Sequence, residues 1–268
     1  MRRSLDQAGC ITSDSARRTG LPPGTPVYTG CIDCEAAAIG SGVRDPGEVS
    51  VVAGTWSINQ AFIKRVPRVG GHFLVNPSAE PGRWLVLEGS PSSAANFDWA
   101  LRTFGGKAAD ITEAVRKTRH SQLIFMPQVP SGKGAFVGLS SVHTRHDLYR
   151  AVMEGVVHAH RRHLERLARS AGPISRVTLG GGAARNTVWC RLFADGLGIQ
   201  VDVPRVEETG ALGAAMCAGV GCGLFPSLRE AQLAMSSPKR TFLPDPKRHE
   251  ETSGDYERYL SLCESIQP

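Results

Sequence analysis

The sequence has few aromatic residues and no long apolar run. Phe, Trp and Tyr make up 6% of the 268 residues, and the basic residues behind the net charge of +6 are scattered. A groove for single-stranded nucleic acid needs basic side chains interleaved with aromatic ones, so no nucleic-acid partner is predicted. The first residues lack the apolar core of a signal peptide, and no stretch is long enough to cross a bilayer. We therefore expect a cytoplasmic protein without a membrane segment.

The chain also lacks the cysteine spacing of a disulfide framework. Seven cysteines are an odd number, and 41% hydrophobic residues can build a core without disulfides. Cys31 and Cys34 have the spacing of a redox pair or of half a zinc site. A zinc site needs a second pair of ligands, and Cys217 and Cys222 stand in a helical pattern that does not supply one. The thiols are therefore expected to be free.

Three histidines stand close together in a predicted helix without indicating a metal site. Apolar residues recur at helical spacing over residues 147 to 170, and Gly172-Pro173 closes the pattern. His158, His160 and His163 lack the spacing of helical zinc pairs. The pattern favours a solvent-exposed face, and no metal ligand is assigned.

A glycine-rich stretch is the strongest local signal for a ligand. Residues 177 to 179 predict a strand, Gly180, Gly181 and Gly182 a tight turn, and residues 187 to 197 an amphipathic helix. Glycines let the backbone approach a ligand, and the N–H groups at the helix start favour an anionic or polar group. An ordinary turn between a buried strand and a helix is the alternative.

The same glycines allow a dinucleotide-binding interpretation. Asp202 lies at a distance suitable for a ribose contact. Arg185, however, occupies the position of the third glycine of that fingerprint, and Asp202 falls inside a predicted strand. An NAD-dependent oxidoreductase is therefore a distant alternative.

Two further segments have the polarity of a ligand site. A predicted strand from Val27 runs into a helix of small residues with Asp33 at the junction, where α/β folds place their ligands. The alternative is that Asp33 only caps the helix. Residues 49 to 58 predict two strands joined by a Gly54-Thr55 corner, which can offer an N–H and a hydroxyl to a phosphate. An ordinary β-turn is the alternative there.

Four motifs in sequence resemble the FGGY carbohydrate kinases, over roughly residues 19 to 225. They are Gly30 to Ala38, Ala53 to Ser57, Gly138 to Gly155, and Gly180 to Asn186 with Glu208 to Ala215. Among the branches of the family, Gly54-Thr55-Trp56 and the stretch from Glu88 to Trp99 look most like kinases of L-xylulose and related ketoses.

The resemblance implies an α/β fold of the actin-like ATPase (ribonuclease H-like) type, as the C-terminal half of a two-domain sugar kinase. It implies ATP-dependent phosphorylation of a sugar hydroxyl, with ATP and Mg²⁺, and assigns no metal ligand to the chain. The site residues that it implies are Asp33 as the base, Gly54 and Thr55 at the phosphates, and Gly181, Gly182, Ala183 and Asn186 at the adenosine.

The resemblance also implies a division of the chain. Residues 1–50 would be a remnant of the first, sugar-binding domain, residues 51–225 the nucleotide-binding domain, and residues 226–268 a peripheral tail. Family members are much longer and begin with a phosphate loop, Asp-x-Gly-Thr, that is not found here. We therefore expect a truncated chain with exposed apolar surface on residues 1–50. The alternative function is a non-catalytic nucleotide-binding fragment that needs a separate first domain or a second copy of itself.

Overall fold

The computed structural model describes residues 3–66, 73–118, 121–127 and 134–265. The strands are β1 Gln7–Cys10, β2 Pro26–Tyr28, β3 Glu48–Ala53, β4 Ser57–Ile63, β5 Leu74–Pro77, β6 Trp84–Ser90, β7 Ile124–Met126, β8 Ala135–Val137, β9 Arg176–Gly180, β10 Gln200–Pro204 and β11 Pro238–Phe242. The helices are α1 Ser13–Thr19, α2 Asp33–Gly40, α3 Ala95–Phe104, α4 Ala108–Lys117, α5 Arg145–Ala171, α6 Thr187–Leu197, α7 Thr209–Gly221, α8 Leu228–Met235 and α9 Pro246–Ser265. A 3-10 turn, Gly182–Arg185, precedes α6.

Seven strands form one mixed sheet in the order β11-β10-β9-β3-β4-β6-β5. Strands β3, β9 and β10 run parallel, whereas β4, β6 and β5 continue antiparallel from β3, and β11 pairs antiparallel with β10. The parallel strands are apolar along most of their length because helices cover both faces of the sheet. Their carboxyl ends therefore meet at one edge, where α/β folds bind ligands.

The hydrophobic core is divided between the two faces of the sheet. Helices α3, α4, α5 and α6 contribute to the larger cluster, which includes Val49, Val51 and Ala53 of β3. Helices α2, α7 and α8 form the smaller one around Ile39 and Met216. Every second residue of β3 thus belongs to the larger cluster, as the two-residue period of a strand requires, and the residues between them face the other side of the sheet.

Helices α2 and α7 approach each other closely because small residues stand at their contact. A Cβ on Gly213 would overlap the Ala36 carbonyl, and a Cβ on Gly40 would overlap the Thr209 carbonyl. Two glycines facing backbone in this way let the two helix axes lie nearer than side chains would permit. The contact places Gly40, at the end of α2, against Thr209, at the start of α7.

The long helix α5 has the ends that its sequence predicts. Thr144 and Asp147 form a capping box at its start, with the Thr144 N–H donating to Asp147 Oδ2 at 2.7 Å, and Gly172 ends it at φ 83°. The prediction that its histidines face solvent is wrong. His158 and His160 are buried, with 4% and 0% of their surface exposed. Helix α5 packs against the sheet, α6 and β7, so little of its surface remains for water.

The predicted division at residues 50 and 51 falls inside strand β3, so no break in structure marks it. The segment after residue 225 supplies the edge strand β11 and helix α9, whose Tyr256 and Tyr259 are buried. In the first fifty residues, Leu21, Val27 and Ile32 are the large exposed apolar side chains among those described. No helix in the described ranges is long and apolar enough to span a membrane.

Candidate functional site

The glycine bend and the β3–β4 corner meet at the carboxyl edge of the parallel strands. Gly181 has φ 80°, and a Cβ on it would lie 2.6 Å from the Ala53 oxygen and 3.0 Å from the Gly54 nitrogen. Only glycine fits this left-handed conformation against a neighbouring backbone. The Gly54 N–H donates to the Trp56 oxygen at 3.2 Å, which closes the corner. The two glycine motifs of the sequence are therefore one structural unit.

A cavity of about 390 Å³, the first cleft, opens on one side of the glycine bend. Its walls are the ends of β3, β9 and β10, one side of α2, the start of α7, and β11. Gly181, Gly182, Thr209, Lys239 and Arg240 are among its lining residues. The backbone N–H groups at the start of α7 and the basic side chains suit an anionic ligand, although two glutamates just before α7 also line the cleft and oppose a negative charge.

A second cavity, of about 540 Å³, opens on the other side of the bend. Helices α3, α4 and the start of α6 line it with apolar and polar side chains, among them Ala94, Phe97, Asp98 and Thr112. Gly182 lines both cavities. A ligand lying across the bend could therefore place one end in each.

Asn186 and Ala183, both predicted to contact adenosine, are held differently. Asn186 Oδ1 accepts from the backbone N–H groups of Val188 and Trp189 at 3.0 and 3.1 Å, so it caps α6. Its amide donates to Thr112 Oγ1 at 2.8 Å, and the residue lines the second cavity. Ala183 is fully buried and is not among the lining residues of either cavity.

Asp33 is the first residue of α2, and its side chain is exposed. Its Oδ1 accepts the Cys34 N–H at 2.7 Å. Ala37, one turn later on the same helix face, lines the first cleft. A Cβ on Gly210 of α7 would lie 3.9 Å from the backbone oxygen of Asp33. Asp33 thus stands on a helix that forms one wall of the first cleft.

The strand predicted to lead directly into Asp33 is short and lies elsewhere. Strand β2 ends at Tyr28 and pairs only with β1, in a separate two-stranded sheet. Helix α2, which begins at Asp33, packs closely on α7 instead. Thr55 lies at the exposed tip of the β3–β4 corner.

The cysteine pair that the structure brings together is not the one suggested by sequence spacing. Cys31 Sγ lies 3.9 Å from Cys217 Sγ of α7, and contact with that thiol, followed by burial, raises the pKa of Cys31. Burial, followed by the charge of Asp33, raises the pKa of Cys34. The hydrogen bond with Cys31 lowers the pKa of Cys217, so Cys217 is the more reactive thiol of the pair, whereas thiols with raised pKa values are poor nucleophiles and metal ligands. Among the described residues, no group of three or more His, Cys, Asp or Glu side chains is arranged to hold a metal ion.

Asp202, the residue on which the dinucleotide interpretation depends, is buried in β10. It accepts hydrogen bonds from Thr241 Oγ1 at 2.6 Å and from Gln200 Nε2 at 3.1 Å. With 3% of its surface exposed, it cannot serve a ribose.

Sequence reasoning missed several residues that line the two cavities. Lys239 and Arg240 come from β11, in the segment predicted to be a peripheral tail. Thr112 belongs to α4 and Asp98 to α3, and the sequence analysis assigns a site role to neither. The amphipathic pattern over residues 108 to 117 indicates a helix, but nothing in it indicates a cavity.

Comparison with known proteins places the chain among sugar kinases. Residues 49–222 match the C-terminal domain of the FGGY family of carbohydrate kinases. The chain is similar to the L-xylulose/3-keto-L-gulonate kinase of Escherichia coli strain K12, with 33% identity over 98% of the chain and 55% of that protein. It is also similar to a probable L-xylulose kinase of Haemophilus influenzae, with 30% identity over 97% of the chain and 55% of that protein. The chain thus spans about half the length of these relatives.

Solved structures agree with the predicted fold class. The xylulose kinase of Rhodospirillum rubrum superposes with a TM-score of 0.88 at 24% identity, covering 99% of this chain and 56% of that one. The ligand-bound xylulose kinase of Lactobacillus acidophilus superposes with a TM-score of 0.91 at 18% identity, with the same coverage. At these identities the likeness shows the fold alone, and the expected actin-like ATPase fold is confirmed.

Proposed function

Because the chain belongs to the FGGY family of carbohydrate kinases, we propose that it supplies the nucleotide-binding half of an ATP-dependent sugar kinase. The reaction would transfer the γ-phosphate of ATP to a sugar hydroxyl. The observation that carries the proposal is the contact between Gly181 and the Ala53–Gly54 backbone, which joins a phosphate-binding corner to a glycine bend between two cavities. The names of the similar proteins favour a ketose such as L-xylulose or a related keto-sugar as acceptor. The sequence arguments favour the cytoplasm as its location.

The nucleotide would lie across the glycine bend. Its base and ribose would occupy the second cavity beside Asn186, with Gly182 beneath them. Its phosphates would reach the corner, where the Thr55 hydroxyl and nearby backbone N–H groups can donate to phosphate oxygens. Glycines at 54, 181 and 182 keep this path free of side chains.

Asp33 would act as the general base. It would accept the proton of the sugar hydroxyl while that oxygen forms a bond to the γ-phosphorus and the bond to the leaving ADP breaks. Its exposed carboxylate, one turn before Ala37 of the cleft lining, can receive such a hydroxyl from the solvent side. Mg²⁺, bound through the nucleotide, would offset charge on the phosphates. The described residues offer it no multidentate site of their own.

Calorimetric titration with ATP and Mg²⁺ tests nucleotide binding, and phosphotransfer to candidate ketoses tests the reaction. Under conditions in which the wild type transfers phosphate, with a covering partner if one is needed, Asp33→Asn should abolish transfer and leave the Kd for ATP nearly unchanged, because the amide cannot accept the proton. Asp14→Asn is the matched control, since Asp14 is an exposed carboxylate in the first turn of α1. Equal transfer by Asp33→Asn and wild type would remove Asp33 from the mechanism, and failure to bind ATP would overturn the proposal as a whole.

A second candidate is a non-catalytic nucleotide-binding fragment that needs a separate first domain or a second copy. Its support is the coverage of 55% of the relatives' length, together with the exposure of Asp33 and Thr55. The two candidates differ in turnover. A kinase consumes ATP when the sugar is added, whereas the fragment binds ATP without consuming it until the partner is supplied.

A further inference from the structure

His160 is a fully buried histidine in the middle of α5, with 0% of its surface exposed. Both of its ring nitrogens have polar partners from other elements. Nδ1 lies 2.7 Å from Asn59 Oδ1 and 3.2 Å from Ser57 Oγ, both in β4. Nε2 lies 2.9 Å from Ser93 Oγ, just before α3. The imidazole thus joins two elements that are far apart in sequence.

The hydrogen-bond partners fix the tautomer of the ring. Asn59 Nδ2 donates to the Glu88 backbone oxygen at 3.2 Å, so the amide oxygen of Asn59 must face the histidine. That oxygen can only accept, so Nδ1 carries the proton and Nε2 is the acceptor. The Ser93 hydroxyl therefore donates to Nε2.

The ring is neutral at physiological pH. Burial, followed by the nearby His163, lowers the pKa of His160 to about 3. His163 in turn lies 3.8 Å from Glu88 of β6, and Arg166 lies 3.4 Å from the same carboxylate. The bridge therefore keeps one donor and one acceptor over the range in which an enzyme of this kind works.

The two ends of the bridge flank the proposed nucleotide site. Ser57 begins the strand that follows the Gly54-Thr55 corner, and Ser93 precedes Ala94, which lines the second cavity. A backbone hydrogen bond also joins the Gly54-Thr55 corner to the start of α3, from the Ala95 N–H to the Gly54 oxygen at 3.3 Å. The histidine and this backbone bond are two links across the same gap.

We propose that His160 is a positioning residue that holds the phosphate-binding corner at a fixed distance from the start of α3, and so sets the geometry for the phosphates and the base. The inference rests on the proposed function, and it adds a residue that touches neither nucleotide nor sugar. A side chain acting in this way affects ATP binding through the corner and the start of α3. A purely structural histidine affects global stability alone.

The test separates these roles with substitutions that remove one hydroxyl each. Ser57→Ala and Ser93→Ala should each raise the Kd for ATP about fivefold, the factor expected for one hydrogen bond of ordinary strength. They should also speed hydrogen exchange at the Ala95 amide, which reports the backbone hydrogen bond between the start of α3 and the corner. Ser50→Ala, which removes a buried hydroxyl from β3, should leave the Kd and the Ala95 exchange unchanged.

Replacement of the histidine itself completes the experiment. His160→Leu should raise the Kd more than either serine variant, whereas His158→Phe, two residues earlier beside Tyr256 and Tyr259, should lower stability and leave the Kd unchanged. The ¹⁵N shifts of His160 should show the Nδ1–H tautomer. Wild-type Kd values in the serine variants and His160→Leu, or a charged ring at neutral pH, would overturn the inference. Wild type that does not bind ATP would instead overturn the proposed function, and the ring shifts and Ala95 exchange would still decide whether the bridge exists.

Discussion

Gly181→Ala should destabilise the protein by about 3 kcal/mol, because two separate costs fall on one methyl group. The backbone at φ 80° and ψ −168° lies in a region that is almost restricted to glycine, and this conformation costs an alanine about 1–3 kcal/mol. The new Cβ would lie 2.6 Å from the Ala53 oxygen and 2.7 Å from the Ala53 carbonyl carbon, so the backbone of one strand must move. Overpacking of this kind costs about 1–3 kcal/mol, and the reduced entropy of the unfolded alanine chain returns less than about 1 kcal/mol.

Urea unfolding of Gly181→Ala and Gly182→Ala, followed by fluorescence, measures the difference. Gly182 is the matched control because the nearest atom to its Cβ would be the Ala53 oxygen at 4.0 Å, an ordinary contact. Its substitution should change the free energy of unfolding by less than about 1 kcal/mol. Separation of the bend from the corner in Gly181→Ala should also weaken ATP binding. Equal losses of stability in the two variants, or no loss at Gly181, would refute the argument that this bend needs a glycine against the β3–β4 corner.

Three further predictions concern packing and titration. His160→Gln should flatten the pH dependence of stability, because the unfolded histidine binds a proton below its ordinary pKa of 6.5 and the folded one only near 3. On acidification, the unfolding free energy of the wild type should therefore fall by up to about 1.4 kcal/mol per pH unit more than that of the variant. Urea unfolding between about pH 7 and pH 5 measures the difference. Gly213→Ala should cost about 2–4 kcal/mol in thermal or urea unfolding, because its methyl would overlap the Ala36 carbonyl, whereas Gly210→Ala, with its nearest neighbour at 3.9 Å, should be neutral or slightly stabilising. Oxidation by diamide should join Cys31 to Cys217, whose sulfurs are 3.9 Å apart. Mass spectrometry of a non-reduced peptide digest should detect that disulfide in the wild type and not in Cys31→Ser.

Local patterns in the sequence predict the elements around the site well. The two strands joined by the Gly54-Thr55 corner occur as β3 and β4, and the glycine bend lies between β9 and the 3-10 turn before α6. Each depends on residues close together in the chain, such as an alternating strand or a glycine at a positive φ. The contact between the two motifs, more than a hundred residues apart, follows from the parallel pairing of β3 with β9. Nothing in either segment alone specifies it.

The failures of the sequence analysis have a common physical cause. A histidine counts as polar, so the pattern of α5 assigns His160 to a solvent face, but hydrogen bonds with Ser57, Asn59 and Ser93 let it be buried. The predicted peripheral tail contains the buried side chains of Tyr256 and Tyr259, whose spacing is that of one helix face. In both cases the polarity of single residues misleads, because partners from distant segments satisfy their polar atoms.

The exposure of the site bears on whether this chain alone can act as a kinase. Phosphoryl transfer needs the reacting atoms to be shielded from water, since water competes with the sugar for the γ-phosphate and weakens the electrostatic contribution of the site. Asp33 and Thr55 are both exposed, and Trp56, next to Thr55, has 45% of its surface open to solvent although the Phe73 ring packs against it at 6.3 Å. We therefore expect the chain by itself to bind ATP with Mg²⁺ but to transfer phosphate to ketoses no faster than it hydrolyses ATP.

A radiolabelled-phosphate assay that follows both the phosphorylated ketose and free phosphate tests this expectation. Transfer that greatly exceeds hydrolysis would show that the open cleft is already sufficient. Transfer that appears only when a second protein covers Asp33 would identify shielding as the missing contribution.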